Sequence, residues 1–123
     1  MEKYNFDFLK SGKNFGHSHA ASIDKLIVLS GLVSSSSSDS YSETKDIINQ
    51  LNKILVSLNL DKNNVLSSNC YIVKIEENFQ KFNEAFCEEF QDVLPARTTI
   101  GVSGLPSPRL VEIQFNLGRN THE

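Results

Sequence analysis

A chain of 123 residues, 39% apolar, can bury a core of its own and is short enough to be expected as one domain spanning 1–123. Its net charge of -3 gives no general attraction to nucleic acid or to an acidic membrane surface. No apolar run approaches the ~20 residues of a membrane-spanning helix. Cys70 and Cys87 are too few and too unpatterned for a disulfide scaffold or a zinc site, so they read as buried, inert thiols.

Residues 1–15 read as an irregular N-terminal segment, in which alternating Tyr4, Phe6 and Phe8 allow a short edge strand. The segment Met1–Phe8 lacks a signal peptide's apolar region and is too acidic for a transit peptide, so a cytoplasmic, reducing compartment is expected. Residues 16–23 read as a small-residue strand. Asp24-Lys25 then turns the chain into a second strand, Leu26–Ser30, whose unbroken apolar run predicts burial on both faces. Gly31 ends that strand and suits close approach of a ligand to the backbone.

Ser34–Ser38 is a run of five serines. The segment 34–40 is expected to be a solvated, mobile connector, with a phosphorylation cluster as the minor alternative. From Tyr41 to Asn59 the period is helical: Ile47, Leu51, Ile54, Leu55 and Leu58 share a face. Ser40 or Ser42 suits the cap, Glu43 suits the first turn, and Lys45, Asn49, Asn52 and Lys53 form a solvated face. Val65–Ile75 predicts a long strand. Asn78 suits the cap of a second helix running to about Gln91, with Phe79, Phe82, Phe86, Cys87 and Phe90 as its core face. Thr98–Val102 and Leu110–Leu117 add two strands.

The order is therefore β-β-α-β-α-β-β. An aliphatic helix face and an aromatic one both need a surface, and one sheet with both helices on the same side supplies it. This is an α+β two-layer sandwich. Strands apolar on both sides favour an oligomer in which sheets face one another.

Between the second helix and the last strand stands Pro95-Ala96-Arg97-Thr98-Thr99. Arg97, placed after a helix-stopping proline and on a β-rich segment, is a fixed cation whose planar fork suits a carboxylate or phosphate. Glu112 interrupts the apolar run of the last strand and is the candidate for chemistry with the bound anion. A structural ion pair between Arg97 and Glu112 across adjacent strands is the plainer alternative. His17 and His19, two apart, face one side of a strand. No third ligand is placed for a metal, and solvated or interface histidines are the simpler reading. Arg109, beside Pro108, is expected to be exposed in a loop.

The ordered set Ser30-Gly31, the helix Glu43–Leu55, the helix Phe79–Phe86, Pro95-Ala96-Arg97, Leu105-Pro106 and Val111-Glu112-Ile113 resembles the YjgF/RidA family. These are the enamine/imine deaminases, also called the L-PSP endoribonuclease family, and the resemblance runs from about Gly16 to Leu117. It implies a chorismate-mutase-like fold with a single mixed sheet, and a homotrimer with clefts between subunits. It implies hydrolysis of 2-aminoacrylate- or 2-iminobutanoate-type intermediates to 2-oxo acids and ammonia. Arg97 would clamp the substrate carboxylate, Glu112 would position water, and Gly31 would offer backbone contact. His17 stands where a tyrosine is usual and Thr99 where a cysteine is frequent, so both are expected to line the substrate pocket. His19 takes the place of a glutamine, and Gln114 that of a second glutamate. The resemblance calls for no metal and no organic cofactor. Two alternatives accompany it: a non-catalytic trimeric sensor of small carboxylates, and a ribonuclease or translation inhibitor. The negative charge and the lack of a basic stripe speak against the latter.

Overall fold

The computed structural model describes residues 1–9 and 16–120. Its strands are β1 (Glu2–Tyr4), β2 (Ala20–Ile23), β3 (Leu26–Leu29), β4 (Leu32–Val33), β5 (Val65–Val73), β6 (Ala96–Val102) and β7 (Val111–Gly118). Two helices, α1 (Ser40–Ser57) and α2 (Ile75–Phe90), lie between them. The strands form one sheet in the order β1-β2-β3-β7-β5-β6, and β4 adds a further pairing to β7. Among the described residues only β5 and β6 pair in parallel, and α2 is the crossover such a pair needs.

Both helices lie on one face of this mixed sheet, an α+β two-layer arrangement. Side-chain parity shows why. In β5, Ser68, Cys70 and Ile72 are buried, and in β7 so are Val111, Ile113, Phe115 and Leu117. All of these point to the helices, where Ile47, Ile48, Leu51, Ile54 and Leu55 of α1 and Phe82, Phe86 and Phe90 of α2 meet them. The opposite parity leaves Ser67, Asn69, Tyr71, Glu112, Gln114 and Asn116 on the open face. Amides dominate there: Asn69 donates to Gln114 Oε1 at 3.0 Å, Gln114 to the Leu29 carbonyl at 2.9 Å, and Asn116 to Ser67 Oγ at 3.0 Å.

Several expectations change. The strand expected from residue 16 begins at Ala20, so both histidines precede it. His17 is exposed. His19 is buried, stacks on the Phe6 ring, and accepts the Phe6 N–H on Nδ1 at 2.7 Å. β3 is not buried on both faces within one chain: Ile27 and Leu29 are buried, whereas Leu26 and Val28 are 41% and 42% exposed. The short edge strand allowed for the N-terminal segment does form, as β1 paired with β2, at Glu2–Tyr4. Residues 10–15 of that segment lie outside the described ones. Cys87 is exposed, not buried, because its position on α2 turns away from the phenylalanine face.

Helix α1 is capped by Asp39, not by a serine: its side chain accepts the Ser42 N–H at 2.7 Å. Lys45 is paired with Glu88 and Glu89 of α2, both at 2.9 Å, and is not simply solvated. Helix α2 starts at Ile75, ahead of Asn78, whose side-chain amide turns back to the Val73 carbonyl at 2.8 Å.

The serine run is held, not loose. Arg109 donates from Nε to the Ser34 carbonyl at 2.8 Å and from Nη2 to the Ser35 carbonyl at 3.2 Å, so this arginine is not free in a loop. Asp46 accepts the Ser35 N–H at 2.7 Å. Glu43, fully buried, accepts N–H groups from Ser38, Leu110 and Val111 at 3.1, 2.8 and 3.2 Å. One carboxylate thus joins the serine loop, the start of α1 and the start of β7. Among the described residues no helix is long and apolar enough to cross a membrane.

Candidate functional site

Arg97 is the second residue of β6, an edge strand, and it pairs in register with Ser68. It therefore projects to the helix side, although it is exposed at the sheet edge. Helix α2 receives it. The guanidinium carbon lies 5.9, 5.4 and 5.0 Å from the ring centroids of Phe79, Phe82 and Phe86. Nη1 donates to Asn83 Oδ1 at 2.8 Å. Among the described residues no carboxylate pairs with this guanidinium, so its charge stays available to an anion.

Thr99, two residues on, faces the same way and pairs in register with Cys70. Its Oγ1 is buried and has no hydrogen-bond partner among the described residues. Burial holds the Cys70 thiol protonated, its pKa pushed up to about 11, with the Arg97 charge opposing that shift.

Glu112 belongs to the other face. It pairs in register with Tyr71, three residues from Ser68, and so points away from the helices. The pairing with Val33 of β4 brings the turn after β3 beside it. There the Glu112 carboxyl lies over Gly31. A Cβ on Gly31 would collide with Glu112 Oε2 and stand 2.9 Å from Cδ. The carboxyl needs a residue with no side chain at that point. Burial raises the Glu112 pKa above the ordinary value of 4.5, and a charged His17 works in the opposite sense. His17 sits nearby with Nδ1 3.1 Å from the Ser18 carbonyl. It also lines, with Lys3, Ser18, Val28 and Ser30, an open-face cavity of about 230 Å³.

The five predicted site residues thus fall into two groups. Glu112, Gly31 and His17 share the open face, and Arg97 and Thr99 share the helix side of the β6 edge. The strand β5 and the thickness of the sheet separate the groups, and an ion pair between Arg97 and Glu112 across adjacent strands is ruled out by this placement. Asn83 was not legible as a site residue. Its one sequence signal is that it is the single amide set among Phe79, Phe82 and Phe86 at helical spacing. Among the described residues no group of three His, Cys, Asp or Glu side chains is arranged to hold a metal ion.

Fold and site together define a small two-layer α+β protein that presents a cation and a proton-binding carboxyl on opposite faces of one sheet. The chain belongs to the Endoribonuclease L-PSP family, the YjgF/RidA family, whose profile matches residues 12–116. It is 30% identical over 105 residues to the mouse protein named 2-iminobutanoate/2-iminopropanoate deaminase, covering 80% of this chain and 77% of that one. It is 32% identical over 72 residues to a Lactococcus lactis protein named putative regulator AldR. That match covers 58% of this chain and 56% of the relative, so the chain spans little more than half its length. Crystal structures share the fold. RidA from a Psychrobacter species superposes with a TM-score of 0.87 at 18% identity, covering 97% of this chain and all of that one. A YjgF/YER057c/UK114 family member from Mycobacterium tuberculosis gives 0.84 at 21% identity, over 96% of this chain and 98% of that one.

Proposed function

We propose that this chain, acting as a single domain, is a hydrolytic deaminase of reactive 2-imino acids, with a site assembled between copies of itself. The carrying observation is the division of charge. Among the described residues Arg97 has no carboxylate partner at one sheet edge, and Glu112, a half-buried carboxyl of raised pKa, stands on the opposite face. A substrate that touches both must lie between two chains, and a closed ring of three gives each cleft one of each. The name of the mouse relative supports the same chemistry.

Arg97 grips the substrate carboxylate with two parallel hydrogen bonds and so fixes the imine carbon. Glu112 as carboxylate takes a proton from water while the water oxygen bonds to that carbon. It then returns the proton to nitrogen. In the carbinolamine Glu112 then takes the hydroxyl proton and passes it to the amine nitrogen, so that the C=O bond forms as the C–N bond breaks, and ammonia leaves a 2-oxo acid behind. Gly31 gives Glu112 its room. His17 and Thr99 line the pocket, the first as a hydrogen-bonding group in place of a phenol, the second through its buried hydroxyl.

An amino-acid oxidase running in semicarbazide generates imino acids and reports them as semicarbazones. The wild type is expected to suppress semicarbazone formation and Arg97→Ala to lose that effect by at least about tenfold. Unchanged suppression by the variant, or none by the wild type with any imino acid supplied, defeats the reading. The relative named as a putative regulator favours a second reading, in which the same Arg97 pocket senses a small carboxylate without turnover. Carboxylate binding that depends on Arg97, with no suppression of semicarbazone, selects it.

A further inference from the structure

Resting on the carboxylate-binding reading of Arg97, we propose that Asn83 is a positioning residue, which with the rings of Phe79, Phe82 and Phe86 holds the Arg97 guanidinium in its anion-binding orientation. An exposed arginine on an edge strand ordinarily samples many rotamers, and ordering it on ligand capture opposes binding. Here the ordering is done beforehand. Positions 79, 82, 83 and 86 fall on one face of α2 by the three- and four-residue spacing of a helix. Three of the four are aromatic, and their ring centroids lie 5.0–5.9 Å from the guanidinium carbon. The fourth supplies the one polar contact to the Arg97 guanidinium among the described residues, Asn83 Oδ1 accepting from Nη1 at 2.8 Å.

The chemistry of each member fits the task. Ring faces attract a cation without competing for its N–H donors, so stacking leaves the guanidinium edge free. The Asn83 carbonyl engages one nitrogen and fixes rotation about the last torsion, and being neutral it leaves the positive charge undiminished. A carboxylate in its place would form a bidentate pair and fill the site from within. The stripe of phenylalanines is also more than core. Phe82 and Phe86 are fully buried, yet Phe79 stays 37% exposed, at the margin where Arg97 emerges. The other end of the same contact is fixed independently: Ile75 packs so closely on Gly101 of β6 that a Cβ there would come within 2.7 Å. Helix and strand are thus also held together at a second point, on the N-terminal side of Asn83 along α2.

The test pairs a ligand-free readout with a binding one, using full-length protein. NMR relaxation of the Arg97 Nε–Hε group reports how firmly the guanidinium is held. It is expected to be rigid in the wild type and mobile in Asn83→Ala, with the thermal midpoint nearly unchanged because Asn83 is only partly buried, at the margin of the phenylalanine face. Titration with 2-oxobutanoate is expected to show about tenfold weaker binding for Asn83→Ala, the usual scale for losing one hydrogen bond to a charged group. Asn83→Asp is expected to be weaker still, while keeping Arg97 rigid. That split separates orientation from charge and is not produced by a merely structural role. Equal Arg97 mobility in wild type and Asn83→Ala overturns the proposal, as does equal affinity for 2-oxobutanoate. If the wild type does not bind 2-oxobutanoate at all, it is the carboxylate reading of the site that fails. The mobility comparison then still decides whether Asn83 holds the arginine.

Discussion

Glu112 is the residue whose surroundings most constrain the chemistry. Its carboxyl is half-buried over Gly31, and burial raises its pKa above 4.5 despite the neighbouring His17. If catalysis uses the carboxylate form, activity must fall as pH drops through that raised value, so the acid limb of the rate profile is expected above the range of an ordinary carboxylate. Glu112→Gln is expected to lower kcat by about a hundredfold or more and to abolish that limb. A profile flat down to the ordinary carboxylate range would show that Glu112 does not handle the proton. Stability runs the other way. A carboxyl with a raised native pKa favours the folded state below the unfolded value, and that contribution is lost as pH rises through the native one. Denaturation across that window is expected to show the decline in the wild type and not in the glutamine variant. As a residue type breaking an apolar run, Glu112 was legible in the sequence, and so was Arg97 after its proline. That the two point to opposite faces was not, because facing depends on the register of β5 with both β6 and β7, and neither register is written in local periodicity.

At the scale of elements, the serine loop and the start of β7 form one unit through Glu43. This residue read simply as an acid in the first turn of a helix. In the fold its carboxylate satisfies three backbone N–H groups from two other segments. Glu43→Ala leaves those donors unpaired and is expected to cost about 2–4 kcal/mol, measured by urea denaturation. Proteolytic cleavage within 34–38 is expected to quicken in parallel. A variant within about 0.5 kcal/mol of wild type would mean that water replaces the carboxylate without loss. The helices and long strands were legible because their periods extend over many residues. The two-residue β4 was not, and the start of α2 was misplaced because Asn78 caps backward, onto the Val73 carbonyl, from inside the helix. Composition likewise misjudged the serine run, since the groups that fix it, Arg109, Asp46 and Glu43, come from elsewhere in the chain.

At the scale of the whole molecule, the sheet keeps one face for the helices and leaves the other as a band of amides flanked by Leu26 and Val28. The two halves of the proposed site lie on different sides of this layer, so under the proposed mechanism a lone chain would be an incomplete catalyst. Sedimentation is expected to give a particle about three times the 13.8 kDa chain. Mixing the inactive Arg97→Ala and Glu112→Gln variants, after mild dissociation and reassembly, is expected to restore part of the activity, because some clefts then receive one intact group from each parent. No recovery in mixed particles would place both groups in the same chain's site. The layer order and the placement of both helices followed from the sequence, through the two helix faces that needed cover. The insertion of β7 between β3 and β5 did not, since it joins segments distant along the chain.

The way the serine loop is tied down has a consequence for how this protein can change over generations. Most of its fastenings grip peptide groups: the carbonyls of Ser34 and Ser35 by Arg109, the amide of Ser35 by Asp46 and the amide of Ser38 by Glu43. Every residue type except proline offers those same groups. The identity of the side chains at 35 and 36 is therefore under little selection from the fold, and this stretch can drift in spelling, even to a monotonous repeat, while its path through space stays the same.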